Sequence, residues 1–168
     1  MDFTVRNSKR SDLPLVDALL QRAFRILLKP DYPPSLLVTA VPKISRANPL
    51  LLASGSYYVA VSGEDVLGCG GWSRRHPHGS RPEPGHAHVR HFATDPDQAR
   101  RGVGRAIMER CVSDARAEGI SVLECYSTRT AEPFYRALGF SRVREIVADL
   151  GPGVAFPAVI MVRSIASA

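Results

Sequence analysis

Thr94-Asp95-Pro96-Asp97-Gln98-Ala99-Arg100-Arg101-Gly102-Val103-Gly104-Arg105-Ala106 is the stretch on which the reading turns. Just before it, His86 to Thr94 alternates apolar and polar residues as a strand does. Just after it, Val103, Ala106, Ile107, Cys111, Val112 and Ala115 recur at three- and four-residue steps, which predicts a helix with one apolar face that stops at Gly119. A strand thus runs through a loop of three arginines and two glycines directly into an amphipathic helix. The first-turn N–H groups of a helix have no intrahelical acceptor, and the aligned peptide dipoles place partial positive charge there. Glycine at 102 and 104 removes side chains that would keep an anion from those groups, and Arg100, Arg101 and Arg105 add full charges around them. The expectation is a phosphate or pyrophosphate cradle. Two glycines that merely let a helix pack closely would leave the three arginines unexplained. The cradle is neither a Walker loop, since no Gly-Lys-Ser/Thr follows, nor a dinucleotide fingerprint, since Ile107 stands where a third glycine belongs.

Outward from this segment the chain alternates short strands and helices. Phe3 to Arg6 predicts a strand; Ser11 or Asp12 offers an oxygen to cap a helix carrying Leu13, Val16, Leu19, Leu20, Ala23 and Phe24 on one stripe. A weaker helical pattern (Leu36, Leu37, Val41, Ile44) ends near Asn48-Pro49. Tyr57–Val61 and Val66–Trp72 predict a hairpin across Ser62-Gly63-Glu64-Asp65, with Gly68, Gly70 and Gly71 admitting another backbone. Arg74 to Gly85 is a long loop rich in proline, arginine and histidine. Ser121 to Tyr126 predicts a strand and Ala131 to Leu138 a short helix closed by Gly139. Arg142–Leu150 and Val154–Ile165 predict two closing strands. No repeat or linker interrupts the chain, so residues 1–168 read as one mixed α/β (α+β) domain of about seven strands and four helices.

Composition bounds the rest. A length of 168 residues suits one domain, and 45% hydrophobic with 23% charged residues is globular rather than disordered or fibrous. Lys+Arg 22 against Asp+Glu 16 leaves +6, which suits an anionic ligand without choosing one. Cys69, Cys111 and Cys125 show no CxxC spacing, arguing against a disulfide framework or zinc ribbon. Their positions within a strand or on an apolar stripe fit buried fillers. No signal-peptide pattern and no bilayer-length apolar run appear, so the expectation is a cytoplasmic chain with no membrane partner.

Taken together, these features resemble the GNAT superfamily of N-acetyltransferases, which move an acetyl group from acetyl-CoA to an amine. The resemblance covers most of the chain from Gly68 onward and is strongest from His88 to Phe140. That family's loop reads Gln/Arg-x-x-Gly-x-Gly/Ala; Gly102 and Gly104 match it, while its first position falls on Ala99, with Gln98 one residue earlier. A second block, Ala131-Glu132-Pro133-Phe134-Tyr135-Arg136-Ala137-Leu138-Gly139-Phe140, is similar to the family's Ala-x-x-Phe-Tyr-x-x-x-Gly-Phe. The asparagine that often stands seven residues before the tyrosine is Thr128 here, a hydroxyl in place of an amide. The resemblance implies a mostly antiparallel sheet that splays into a V, with Phe92-Ala93-Thr94 parting from the strand at Val122 to Cys125. It also implies pantetheine on the main chain of Phe92 and Thr94, and the CoA pyrophosphate on N–H groups from Arg100 through Arg101, Gly102, Val103 and Gly104 to Arg105. CoA is polyanionic, which accounts for part of the basic surplus. The resemblance leaves room for a homodimer.

Acyl transfer to an amine needs a neutral nucleophile and a protonated leaving thiolate. Histidine, with an ordinary pKa near 6.5, suits a general base at neutral pH better than an unshifted glutamate. His88 lies four residues before Phe92, where several members of the family carry a glutamate; it is the first candidate base, directly or through a water, and His91 the second. Simple alternation puts His88, Arg90, Phe92 and Thr94 on one face and Val89 with His91 on the other. Either histidine could instead be a packing residue. Metal ligation by His86, His88 and His91 is less suited, since no second ligand cluster accompanies them. The Tyr135 phenol, pKa near 10, is protonated at neutral pH and fits a proton donor to the departing sulfur, a role that the resemblance supports. Trp72, Tyr57 and Tyr58 fit the core better than an acceptor pocket.

The reaction expected is therefore acetyl-CoA-dependent acetylation of a primary amine on a small-molecule acceptor, by direct transfer and without a metal. A non-catalytic acyl-CoA sensor and a peptide or protein amine acetyltransferase are the alternatives. A nucleic-acid partner is not expected, because the arginines at 74, 75 and 81 lack a nearby aromatic platform. A cationic rim formed by the Arg74–Arg90 region and the first two helices would favour neutral or acidic amines over polyamines.

Overall fold

Period-two alternation becomes a seven-stranded sheet in the computed structural model, which describes residues 2–77, 79 and 81–167. The elements are β1 (Thr4–Asn7), α1 (Leu13–Leu27), α2 (Pro34–Ile44), α3 (Pro49–Leu52), β2 (Tyr57–Ser62), β3 (Asp65–Ser73), β4 (His86–Thr94), α4 (Val103–Ala117), β5 (Val122–Thr128), α5 (Glu132–Ala137), β6 (Ser141–Asp149) and β7 (Ala155–Ser164). The strand order is β1-β2-β3-β4-β5-β7-β6, antiparallel throughout except for the β4–β5 pair. A strand, a crossover through α4 and a parallel neighbour form one βαβ unit around the cradle loop.

Two apolar layers hold the sheet. On one face α4 buries Val103, Ile107, Met108, Cys111, Val112 and Ala115 against Ala60, Leu67, Val89, Leu123 and Met161. On the other face α1 buries Val16, Leu19, Leu20 and Ala23 against Tyr57, Val59, Cys69 and Ala93. Trp72, Tyr57 and Tyr58 are core residues, as expected, with the Trp72 indole N–H donating to the Tyr58 hydroxyl at 3.2 Å. All three cysteines are buried and unpaired, and burial pushes the Cys69 thiol up to about 12. Among the described residues no helix is long and apolar enough to cross a membrane.

The structure corrects three sequence expectations. Five helices form rather than four: Asn48 Oδ1 accepts from the N–H groups of Leu50 and Leu51 and starts the one-turn α3 at Pro49. Asp12 precedes α1 without capping it, because Arg6 holds both carboxylate oxygens at 2.9 Å and Lys9 N–H donates at 2.7 Å. The third correction lies in β4. Cys69 pairs with Ala93 and Gly71 with Arg90, so Gly70 alone faces both His91 and Phe92. This bulge puts His91 at φ +53, a left-handed conformation, and shifts the alternation by one residue. Phe92 therefore shares the α4 face with Val89, while His88 and Arg90 belong to the opposite face.

Candidate active site

The parallel β4–β5 ladder has three rungs, His86↔Val122, Ala87↔Leu123 and His88↔Glu124. Past the last rung the two strands part. The gap therefore opens beyond Glu124, and Phe92-Ala93-Thr94 stands across from Cys125 to Thr128 rather than from the whole strand starting at Val122. The freed β4 main chain has no β5 partner, which is what an extended ligand would require to pair as a strand. A cavity of ≈ 430 Å³ fills this gap. Phe92, Cys125, Thr128 and Tyr135 line its inner part, Ile44 and Asn48 its α2–α3 wall, and Arg90 and Tyr126 another side. The α1–α2 connection is tied to the sheet: the Tyr32 hydroxyl donates to Pro157 O at 2.7 Å and accepts from Arg129 N–H at 2.8 Å, and the ring stacks on Phe156, which lines the cavity.

At the mouth of α4, Gly102 sits at φ +80 as the N-cap and Arg100 at φ +64. The first-turn N–H groups of Val103, Gly104 and Arg105 find no acceptor among the described residues. The two glycines do different work. Nothing lies within 4 Å of the place where a Gly102 side chain would project, so space above the helix mouth is open. At Gly104 a Cβ would meet the Phe134 ring at 2.8 Å; that glycine lets α5 close on α4. Ala99 contributes no polar side chain, and Gln98 turns toward α1, where it lines a hollow with Leu15, Leu19 and Arg22. The loop's carboxylates are neutralised: Arg22 of α1 pairs with Asp95 at 2.6 Å and Asp97 at 2.7 Å. Arg100, Arg101 and Arg105 pair with no carboxylate among the described residues, so the loop keeps a net positive charge. Open amides, positive charge and an unpaired strand edge fit CoA.

Tyr135 on α5 is buried between Phe92, Phe134 and Phe140, with ring centroids 6.3, 5.1 and 5.4 Å away. Its hydroxyl has no hydrogen bond to a described residue, and the side chain lines the cavity. Burial holds its pKa well above 10, so it carries a proton at neutral pH. Thr128 also lines the cavity; its Oγ1 accepts from Ala131 N–H at 3.1 Å and so shapes the turn into α5, with its own proton left to donate.

The two candidate bases part company. His91 turns its ring to α2, where Nε2 donates to Ile44 O at 2.7 Å. A carbonyl can only accept, so this nitrogen carries the proton. Burial lowers the His91 pKa. His91 still lines the cavity, while His88 is not among its lining residues; the His88 Nδ1 lies 3.6 Å from Glu124 Oε1. His76 joins them, with Nε2 3.9 Å from the same Oε1 and 2.5 Å from the Tyr126 hydroxyl. Burial, with the neighbouring His76 and Arg90 charges, pulls the His88 pKa down to about 4, below the ordinary value that sequence reasoning assumed. The grouping of His86, His88 and His91 does not form, since His86 lies against Glu83 and His91 against Ile44. Sequence reasoning missed His76 and Glu124. Alternation along β5 places Glu124 opposite to Leu123 and Cys125 and could have found it; nothing in the loop sequence marks His76. His78, in the same loop, lies outside the described residues. Arg74 pairs with Glu118 at 3.1 Å beyond the end of α4, so it does not contribute to a cationic rim at the cavity.

The sequence model of the acetyltransferase (GNAT) family matches residues 17–140, extending the likeness well upstream of Gly68. A 40-residue stretch is 48% identical to serotonin N-acetyltransferase 2, chloroplastic, of Oryza sativa subsp. japonica, covering 24% of this chain and 20% of that relative. The fold is similar to that of a GCN5-related N-acetyltransferase from Rhodopseudomonas palustris, with TM-score 0.76 and 17% identity over 98% of this chain and 96% of the other. It is also similar to PaiA N-acetyltransferase from Thermoplasma acidophilum, solved with coenzyme A, with TM-score 0.71 and 14% identity over 98% and 99% of the two chains.

Proposed function

The chain belongs to the acetyltransferase (GNAT) family, and on that premise we propose that it acetylates a primary amine of a small-molecule acceptor at the expense of acetyl-CoA, by direct transfer. The observation that carries the reading is the mouth of α4, where open amide donors and three arginines stand beside the gap between β4 and β5. The residues assigned to the nucleotide end are Arg100, Arg101, Gly102, Val103, Gly104 and Arg105; Phe92, Ala93, Thr94 and Thr128 line the way to the reacting end. Bound there, acetyl-CoA supplies an activated acetyl thioester.

The chain's own residues then manage protons and water. The Tyr135 hydroxyl, protonated and without a hydrogen bond to a described residue, is the proton donor in the cavity. His88, neutral at working pH, accepts through a water the proton that the amine must lose, with the Glu124 carboxylate 3.6 Å from its Nδ1. His91, bonded to Ile44, serves as the clamp that fixes α2 as the cavity wall. Phe92, Phe134 and Phe140 surround the phenol and keep water from it. The unpaired cysteines are in keeping with work in the cytoplasm.

The test is a calorimetric titration with CoA followed by a free-thiol assay of acetyl-CoA against an amine panel. Uptake of CoA and amine-dependent thiol release are expected. Uptake without turnover would favour a sensor, and no uptake would end the proposal.

A further inference from the structure

We propose that the acceptor amine also bears a carboxylate, and that Arg90 is the residue that holds it. This rests on the acetyltransferase reading and adds the chemical class of the acceptor to it. The cavity wall is electrostatically one-sided: the described residues that line it include Lys43 and Arg90 and no aspartate or glutamate. Arg90 projects from β4 on the same face as His88, on the strand that lines the gap. Its described side-chain partner is a neutral one, Ser73 Oγ, which accepts from Nη1 at 2.9 Å. Among the described residues no carboxylate pairs with it. A half-buried guanidinium has lost part of its water and keeps four further N–H donors in a fixed planar fork, a geometry matched to a carboxylate. Burial lowers even this pKa, which shows how far the cation lies from its usual solvation.

A second donor faces the same space. Asn48 uses Oδ1 to cap α3, accepting from Leu50 and Leu51, so the part of its amide left for a ligand is the NH2 group. Arginine fork and amide together are donors only, which selects an acceptor-rich anion and disfavours an amine with no counter-charge. The same positive wall helps the chemistry. It shifts the amine of a bound amino acid toward its neutral, nucleophilic form, while the acid group cancels the repulsion that a plain ammonium would meet. Phe24, Leu51, Leu150 and Phe156 add an apolar part to the lining. The acceptor class is therefore a small amino acid with an apolar body, sized to share ≈ 430 Å³ with the acyl end of the donor.

The experiment follows thiol release from acetyl-CoA with matched trios: apolar amino acids, their C-terminal amides and the decarboxylated amines. The acids should give kcat/KM at least about tenfold above their partners, because a charge-assisted fork contact is lost in the amides and amines. Arg90→Gln should raise KM for the acid at least tenfold, change kcat little, and level the preference; Arg90→Lys should recover part of it. Calorimetric CoA affinity equal to that of the parent shows that each variant is folded. Amides or amines turned over as well as the acids would overturn the carboxylate proposal while leaving an acetyltransferase standing. So would equal losses for all three in Arg90→Gln, or CoA uptake with no acid acetylated. Absence of CoA uptake by the parent would instead remove the reading on which it rests.

Discussion

The His88 imidazole and the Glu124 carboxylate face each other on the last rung of the parallel β4–β5 ladder, Nδ1 3.6 Å from Oε1, immediately before the strands separate. An imidazole and a carboxylate thus sit where the two strands stop pairing. If His88 is the base, kcat for a good acceptor should fall on the acid side only near its lowered value of about 4, not near 6.5. His88→Ala should remove that limb; a profile identical to the parent's would return the role to solvent.

The same histidine affects stability. Its folded pKa of about 4 lies below the ordinary value, so the unfolded chain takes up a proton first as pH falls. Stability is full above about 6.5 and declines between about 6.5 and 4, and buried His91 adds a loss of the same sign. Urea midpoints from pH 7 to pH 5 should fall less for His88→Gln than for the parent.

Tyr135→Phe removes a hydroxyl that has no described protein partner, so packing among Phe92, Phe134 and Phe140 should survive and stability should change by under about 1 kcal/mol. Turnover should drop by more than about tenfold if the phenol is the acid. An unchanged rate with intact CoA binding would strike it from the mechanism.

Arg22 touches the cradle from behind. Arg22→Ala should leave stability nearly unchanged, as exposed ion pairs contribute little. It also uncovers Asp95 and Asp97 beneath the anion site, so CoA affinity should weaken several-fold, more at low salt than at high. Adding Asp95→Asn should restore much of it; affinity untouched in the single variant would mean that the carboxylates do not reach the site.

Gly102 and Gly104 should respond differently to alanine. At Gly102 the cost is a left-handed backbone with a side chain, on the order of 1 kcal/mol, with no clash. At Gly104 the new methyl strikes the Phe134 ring, and overpacking of this kind costs on the order of 1–3 kcal/mol. Thermal unfolding should rank Gly104→Ala as the more damaging; the reverse order would show that α5 can yield.

Strand and helix periods were legible because each element has one buried face: β4 and α4 were readable to within about a residue, and with them the loop that joins them. What failed was anything that depends on a partner distant in sequence. The β4 bulge exists because Gly70 lets the Phe92 ring in, and no periodicity within β4 announces a neighbour's missing side chain. Asp12 looked like a cap, but Arg6 on β1 takes its carboxylate. Tyr135 could be found from its local motif. His76 could not, since only folding brings a loop histidine beside Tyr126 and Glu124. The pKa of His88 was out of reach for the same reason.

The close fit of Phe134 against Gly104 makes the molecule a gauge of donor length. The residue after Phe134 is the phenol, so the helix mouth that would seat a diphosphate and the hydroxyl at the reacting end are registered to each other through a single aromatic ring. A short thioester with no nucleotide would touch only one end of this caliper. It should therefore be a poor donor in kcat as well as in KM, because the far handle is what brings the near end into line.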